Sequence, residues 1–518
     1  MATLQKYPIG IQTFSNIIED GYTYVDKTGF IPELINAGKY LFLSRPRRFG
    51  KSLLLSTLHS YFEGDKRLFE GLAINSTDVE WICRPVIHID LNAENYMLED
   101  GLDKILDRIL RYYERKYGVE VRENSLSGRF TFLLQHIYES TGKKVVILVD
   151  EYDKPLLGIE DKPELFNKNQ ATLKGFFGVL KSSDRHIHFA MLTGVARFNK
   201  VSVFSDLNNL RDISFERKFA DICGWSHKEL LENFTPGIEQ LAEYNNISFE
   251  VAKTRMKRFY DGYLFAPEGD RLYNPFSVLN ALASQSLKYY WFQTGTPTFL
   301  IKRIKDAKIK LSSLNESWTN EEQLLAIGVN DPNPVPLLFQ TGYLTIGEAE
   351  GDAYRLQFPN KEVEIGFSRS LVPYFMPPLN DLNGAFSILE YRREIINGEP
   401  EKFMKRMEAM LKDIPYEQHN EALYQNAVYL LFTLMGADAR VEEHTNIGRS
   451  DLVVRTGKYA YIFEFKYNGS AEKAMAQIKA RDYSGKLSVD RRIVYLIGAN
   501  FSTEKRGLEN WIIEEIEK

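Results

Sequence analysis

The sequence predicts an α/β protein: a mostly parallel, doubly wound sheet, then a helical middle region, then a compact C-terminal α/β domain. Three observations carry the prediction. Apolar runs rich in β-branched residues alternate with helical stretches through about residue 220, the order that builds parallel sheets. From 221 the pattern turns helical and aromatic and closes on a hairpin signal. After a proline-rich stretch near 375 the order becomes helix, strands, helix, strand. At 518 residues the chain exceeds what one core usually organises. The expected segments are 1–220, 221–375, a helical linker over 376–416, and 417–518.

Taken in order, "KYLFLS" is a short apolar strand, followed by a Gly/Pro/Arg loop and by "KSLLLSTLHSYF", whose apolar residues fit a helix. "PVIHIDL", "KKVVILVD" and "HIHFAMLTG" are further strands, with helices such as "DGLDKILDRILRYYERKYG" between them. "CGWSHKELLENF", "RFYDGYLF" and "YWFQTGTPTFLI" form the helical, aromatic part. There "GYLTI" and "YRLQF" flank "GEAEGDA" as a hairpin, so the middle region is expected to be winged-helix-like. "VPYFMPPLND" marks a domain boundary. Beyond it "EKFMKRMEAMLKDI" and "HNEALYQNAVYLLFTLMG" are amphipathic helices. "RSDLVV", "YAYIFEFKY" and "RRIVYLIG" are strands, the last two separated by the helix "SAEKAMAQIKARDY".

Composition narrows the function classes. Hydrophobic residues make up 44% and charged residues 26%, with a net charge of -5, which argues against a chain that coats nucleic acid over its whole surface but leaves room for a basic groove. No apolar run approaches the roughly 20 residues that cross a bilayer, and the N-terminus lacks the layout of a signal peptide; no membrane and a cytoplasmic location are expected. Cys83 and Cys223 stand alone, which excludes a disulfide framework and a cysteine-rich zinc site.

The loop "SRPRRFGKSLLLSTL" carries the first candidate site. A phosphate loop needs backbone N–H groups aimed at phosphate, a lysine for its charge and a hydroxyl for magnesium. Gly50, Lys51 and Ser52 supply the end of that pattern, whereas Arg45 stands where its first glycine belongs. A bare G-K-[S/T] arises by chance in about a quarter of chains this long, so context decides. "VVILVDEYD" ends a strand with Asp150, placed to hold magnesium through water, and Glu151, placed to orient attacking water. "MLTG" brings the Thr193 hydroxyl to the same sheet edge as a sensor of the γ-phosphate, where open α/β sheets bind ligands. Arg197 is either a second cation facing the phosphates or half of a surface ion pair. For Asp26 and Lys27 a capped helix start is favoured over a border of the nucleotide.

The second candidate site lies on adjacent strands. Asp451 opens one strand, and the period of two puts Glu464 and Lys466 on one face of the next. Twelve residues including the turn "RTGK" separate Asp451 from Glu464, so an antiparallel pair brings two carboxylates and an ammonium together. Phosphodiester cleavage uses that combination. A buried ion pair or polar residues facing solvent are the competing readings of the strand pattern.

The run "VDKTGFI", "FLSRPRRFGKSLL", "VDEYDKPL", "LTGVARF" and "DLNNL" resembles the bacterial AAA-ATPase-like family, related to the signal-transduction (STAND) ATPases, over about residues 5–370. In that family the loop reads Arg-Pro-Arg-Arg-Phe-Gly-Lys-Ser. The resemblance therefore implies a P-loop NTPase sheet in which the loop residues Arg45, Pro46, Arg47, Arg48, Phe49, Gly50, Lys51 and Ser52 bind ATP, with Ser52 and Asp150 on Mg2+. Residues 417–514 resemble the PD-(D/E)xK nuclease superfamily, which implies a restriction-endonuclease-like domain. There Asp451, Glu464 and Glu421 would hold magnesium, and Lys466 would act in cleavage. Gln477 and Tyr483 would stand on the following helix. Ser450 occupies the place of the signature's proline.

Together these imply an ATPase coupled to Mg2+-dependent nuclease activity, in prokaryotic defence or mobile-element biology. Nucleic acid is the expected partner, DNA ahead of RNA, with assembly into a homo-oligomer. The alternative is an ATP-controlled switch or scaffold whose nuclease-like domain binds nucleic acid or protein without cutting.

Overall fold

The structure is a computed structural model. It describes residues 5–120, 123–159, 161–197, 209–294, 298–307, 309–315, 317–325, 333–376, 384–412, 421–436, 438–441, 451–480 and 492–516, with 293–294, 298–299, 384–387, 438–441 and Asp451 as main chain alone. The chain divides into two compact units, residues 1–303 with 315–364, and residues 304–314 with 365–518. Among the described residues no helix is long and apolar enough to cross a membrane.

In the first unit, β1 (Tyr40–Ser44), β2 (Val86–Asp90), β3 (Val145–Asp150), β4 (Ile187–Gly194) and the short β5 (Arg211–Asp212) form one sheet. Its order is β2-β3-β4-β1-β5, and every pairing is parallel. A parallel sheet is covered on both faces, so its strands are continuous apolar runs; all six residues of β3 are buried. The helices Lys51–Glu63, Gly101–Tyr117, Leu126–Thr141 and Pro163–Ser182 follow or connect these strands. In Gly101–Tyr117 the buried Leu102, Ile105, Leu106, Leu110 and Tyr113 repeat at helical spacing. Because β4 lies between β1 and β3, the carboxyl ends of the three strands adjoin.

The middle region is helical, as its pattern predicts. His227–Tyr244 starts with a capping box between Ser226 and Glu229, and with Phe249–Tyr260 and Pro275–Ser284 it encloses a core around Phe234, Met256, Tyr260 and Tyr273. The expected hairpin is present: β7 (Thr345–Glu350) and β8 (Ala353–Gln357) pair antiparallel, and β6 (Trp318–Thr319) adds to β8. This region up to residue 364, apart from residues 304–314, belongs to the same unit as the parallel sheet. Phe49 shows why: it is buried edge-on against Tyr263 and Phe265, so the two parts share one core.

The second unit is built on a mixed sheet of β9 (Asp438–Val441), β10 (Asp451–Arg455), β11 (Tyr459–Tyr467), β12 (Ile493–Ser502) and β13 (Gly507–Ile516), in the order β13-β12-β11-β10-β9. Only β11 and β12 run parallel; the helix Ala471–Ala480 lies between them in sequence, as a parallel crossover requires. The helices Pro400–Lys412 and Glu421–Met435 cover the other face, where Phe403 and Phe432 meet Phe463. The segment expected as a linker over 376–416 thus contributes to this core. Phe403, Met404, Met407 and Leu411 are buried, and Tyr461 donates its hydroxyl hydrogen to the Ile395 carbonyl at 2.6 Å.

Candidate functional site

The phosphate loop joins β1 to the helix Lys51–Glu63. Gly50 turns the chain with φ 98°, in the left-handed region that glycine enters without steric cost. Lys51 is buried, its ammonium donating to the carbonyls of Arg45 (3.0 Å) and Pro46 (3.3 Å) and lying 3.3 Å from Glu151. Ser52 and Thr193 both hydrogen-bond the Asp150 carboxylate, the latter at 2.7 Å. Burial pushes the Asp150 carboxyl above its ordinary range, and the Glu151 charge adds to that, against the hydroxyls of Ser52 and Thr193 and the ammonium of Lys51. Glu151 itself has φ 53°, an uncommon conformation for a non-glycine residue. One turn on, Asp153 is fully buried and accepts the N–H groups of Val195 (2.9 Å) and Ala196 (2.6 Å), tying the acidic turn to the segment after Thr193. Gly194 is needed there, since a Cβ would lie 2.7 Å from Asp153 Oδ1 and the Tyr152 ring.

The arginines of the loop divide sharply. Arg45 is 1% exposed; its guanidinium donates to the carbonyls of Ser44, Ser214, Phe219 and Ala220 and covers the Phe265 ring at 4.3 Å. Desolvation lowers its pKa to about 10. Its side chain is therefore a tie between the loop and residues 214–220, and the expected side-chain contact of Arg45 with nucleotide is replaced by that role. Phe49 is likewise a core residue. Pro46 packs on Gly342, where a Cβ would come within 2.6 Å of the proline ring. Arg47 is half-buried, and its carbonyl accepts the indole N–H of Trp291 at 3.3 Å. Arg48 is exposed, with φ 69° and its guanidinium 4.5 Å from the Phe276 ring centre.

Arg197 pairs with Asp212 at 2.6 Å, which is the ion-pair reading of that residue. Asp26 accepts from Thr28 and from the Ala73 N–H; the helix Phe30–Ala37 that follows has Gly29 at its N-cap and no side-chain cap, so Asp26 braces the turn rather than capping the helix. Lys27 lies 2.5 Å from Glu229. Asp26 and Glu229 line a polar cleft of about 890 Å³ together with Lys257, Asp261 and Arg271.

In the second unit the backbone register sets Asp451 directly opposite Glu464, a spacing of roughly 4.5–5.5 Å between Cα atoms. Glu464 is fully buried, and the Lys466 ammonium bonds its carboxylate at 2.8 Å. Lys466 also donates to Gln477 of the helix Ala471–Ala480. That helix approaches β12 closely, because Gly498 leaves room: a Cβ there would lie 2.7 Å from the Met475 nitrogen. Glu421 is more than half exposed, 3.5 Å from Lys310, and accepts from Gln425. It stands on the helix that packs on the Phe463 face, opposite the face of Glu464 and Lys466. Among the described residues no group of three or more Asp, Glu, His or Cys side chains is placed to hold a metal.

A model described as a predicted AAA-ATPase matches residues 8–204, and one described as the PD-(D/E)XK nuclease superfamily matches residues 419–511. A protein named as uncharacterized, from the vnfD 5′ region of Azotobacter chroococcum mcd 1, is 34% identical over 528 residues and covers 99% of each chain. The chain belongs to this family of predicted AAA-ATPases with a C-terminal PD-(D/E)XK nuclease-superfamily domain. Among solved structures it is also similar to the Aeropyrum pernix ORC2 protein in ADPNP-ADP complexes, at 11% identity and a TM-score of 0.25, over 64% of this chain and 88% of that one.

In the AAA-ATPase domain, then, Gly50, Lys51, Ser52, Asp150, Glu151 and Thr193 converge, whereas Arg45 and Phe49 serve packing and Arg197 serves an ion pair. In the nuclease-superfamily domain Glu464, Lys466 and Gln477 converge with Asp451 opposite in register. Tyr483 lies outside the described residues. Sequence reasoning missed Asp153, although it sits in the same "VDEYD" run, and it missed Trp291, for which an aromatic-rich helical pattern gives no signal.

Proposed function

We propose that the protein binds and hydrolyses ATP with magnesium at the phosphate loop, and that its nuclease-superfamily domain cleaves phosphodiester bonds of nucleic acid under the control of that nucleotide. The observation that carries this reading is the buried Glu464 bonded to Lys466 and facing Asp451 across the strand pair. Burying the Glu464 carboxylate beneath a partly exposed Lys466 contributes little to stability, because desolvation of the carboxylate offsets the Coulombic gain. A catalytic role accounts for its presence.

In the first site the Ser52 hydroxyl and the Asp150 carboxylate, already joined by a hydrogen bond, are the hard oxygen donors that suit magnesium. In the second the donors are the carboxylates of Glu464 and Asp451. Magnesium bound at such ligands polarises phosphate and lowers the pKa of water. Lys51 neutralises phosphate charge once its ammonium leaves the Arg45 and Pro46 carbonyls. Glu151 orients water, and Thr193, bonded to Asp150, reports on the terminal phosphate. Lys466 stabilises charge at the scissile phosphate, and Gln477 fixes the lysine's direction. By the same reading the protein is a cytoplasmic, STAND-related ATPase that acts on DNA ahead of RNA, assembles with copies of itself, and serves prokaryotic defence or mobile-element biology.

The test is to incubate the purified protein with linear, circular and single-stranded DNA and with RNA, in magnesium, with and without ATP, beside Lys51→Ala and Lys466→Ala. Loss of cleavage in Lys466→Ala and of ATP turnover in Lys51→Ala is expected. Cleavage that survives Lys466→Ala refutes the nuclease assignment, ATP turnover that survives Lys51→Ala refutes the ATPase assignment, and cleavage indifferent to ATP refutes the control.

A further inference from the structure

Asn360 caps the helix Lys361–Phe375 by accepting the Val363 N–H at 3.1 Å, which fixes Glu362 in its first turn. Glu362 is 1% exposed and lies near Tyr260, Tyr263 and Tyr290. Burial raises its pKa to about 7, against the pull of the Trp291 N–H, the Ser277 hydroxyl and the Tyr290 N–H. The Trp291 N–H donates at 2.8 Å. Nothing in the packing of an apolar core calls for a carboxylate here, and a buried carboxyl persists only where it accepts hydrogen bonds.

Trp291 is 7% exposed, set edge-on against Tyr343 with ring centres 5.0 Å apart, and its indole N–H reaches the carbonyl of Arg47. That carbonyl belongs to the same peptide plane as the N–H of Arg48. In a trans peptide the two groups point in opposite directions, so a carbonyl held outward by Trp291 turns the Arg48 N–H the other way. Arg48 then takes φ 69°, a conformation that a non-glycine residue keeps only where its surroundings impose it. In a phosphate loop the direction of backbone N–H groups is the binding determinant.

We propose that Glu362 is a positioning residue for the phosphate loop, acting through Trp291 to orient the Arg47–Arg48 peptide toward bound phosphate. This rests on the reading of residues 45–52 as a nucleotide site.

The experiment uses the full-length protein with a fluorescent ATP analogue and magnesium, hydrogen exchange of the nucleotide-free loop, and thermal unfolding as a control of folding. Trp291→Phe keeps an aromatic ring but removes the indole N–H. It should weaken analogue binding about fivefold to tenfold, raise the ATP KM with kcat within about twofold, and speed exchange across residues 45–50. Glu362→Ala should do the same, and the double variant should be no worse than either single one, because the two bonds act in series. Glu362→Gln, which retains an acceptor for the Trp291 N–H, should restore binding.

Wild-type affinity and wild-type loop exchange in Trp291→Phe overturn the proposal, as does Glu362→Gln behaving like Glu362→Ala. Should Glu362→Ala fail to fold, Trp291→Phe and Glu362→Gln decide alone. Failure of the nucleotide reading itself is recognised separately: the wild type then binds no analogue, or Lys51→Ala binds as well as the wild type. Loop exchange in the nucleotide-free Trp291→Phe variant still reports whether the indole holds the peptide.

Discussion

Gly498 offers the sharpest single test of how the nuclease-superfamily site is assembled. It lies on β12 opposite Glu464 in the parallel register, under the helix that carries Gln477. In Gly498→Ala the added methyl would stand 2.7 Å from the Met475 nitrogen, 2.8 Å from the Ala471 carbonyl oxygen and 3.1 Å from the Met475 Cα. All three are backbone atoms, so no side chain can rotate away. Restoring ordinary contact at about 3.5 Å from 2.7 Å requires the helix to retreat by roughly 0.8 Å. Overpacking of this kind costs about 1–3 kcal/mol, which for a unit of this size lowers its unfolding midpoint by about 2 to 12 °C. The same retreat draws Gln477 away from Lys466, and misplacement near 1 Å can cost about 100-fold in rate. The assay is calorimetric unfolding together with magnesium-dependent cleavage. The control is Gly457→Ala in the β10–β11 turn, where a Cβ meets nothing within 4 Å; it should leave stability unchanged or slightly raised. A Gly498→Ala protein with the midpoint and cleavage rate of the wild type refutes the close approach, and with it the account of how Gln477 is aimed.

Two further predictions follow from burial. Arg45→Ala should destabilise the first unit by about 3 kcal/mol or more, since several charge-assisted hydrogen bonds to carbonyls are lost, whereas Arg48→Ala, losing an exposed contact with Phe276, should cost about 0.5–1 kcal/mol. Denaturant unfolding compares them, and equal effects would contradict the burial of Arg45. Glu362 has a folded-state pKa of about 7, above its unfolded value near 4.5. The native state thus holds a proton that the unfolded chain has released, so this residue makes stability fall as pH rises from about 4.5 to 7, with no further change above that. Glu362→Gln should flatten the profile over that window in unfolding experiments at pH 5, 6, 7 and 8; an unchanged slope would refute the shift.

The parallel sheet was legible in the sequence because its strands must be apolar on both faces: "VVILVD" and "HFAMLTG" can be read as little else. The convergence of Lys51, Ser52, Asp150 and Thr193 followed from knowing that strands of such a sheet present their carboxyl ends together. Arg45 was misleading for a physical reason. A guanidinium is read as a surface or ligand-binding group, and only the tertiary fold supplies the carbonyls of Ser214, Phe219 and Ala220 that let it be buried. The helices over 384–412 read as a linker because amphipathic helices carry no label of what they pack on. The strand β13 escaped notice since "ENWIIEEIEK" is charged and lacks clean alternation. It is an edge strand, paired on one side only by β12, and edge strands tolerate charge.

The two sites share a resting arrangement that bears on how they act. Lys51 is engaged by two loop carbonyls and Glu151, and Lys466 by Glu464 and Gln477. In each case the cation that would meet phosphate is already neutralised by a carboxylate of its own site. An isolated buried ammonium would be costly, and the carboxylate offsets that cost. A phosphate arriving alone would have to compete with that carboxylate for the lysine. A phosphate arriving with a divalent cation does not, because the carboxylates have a new partner when the lysine turns to its own. On the proposed reading, anion and cation would therefore bind each site better together than either does separately, and the buried member of each ion pair, Lys51 beside Glu151 and Glu464 beside Lys466, would keep the exchange where charges interact strongly.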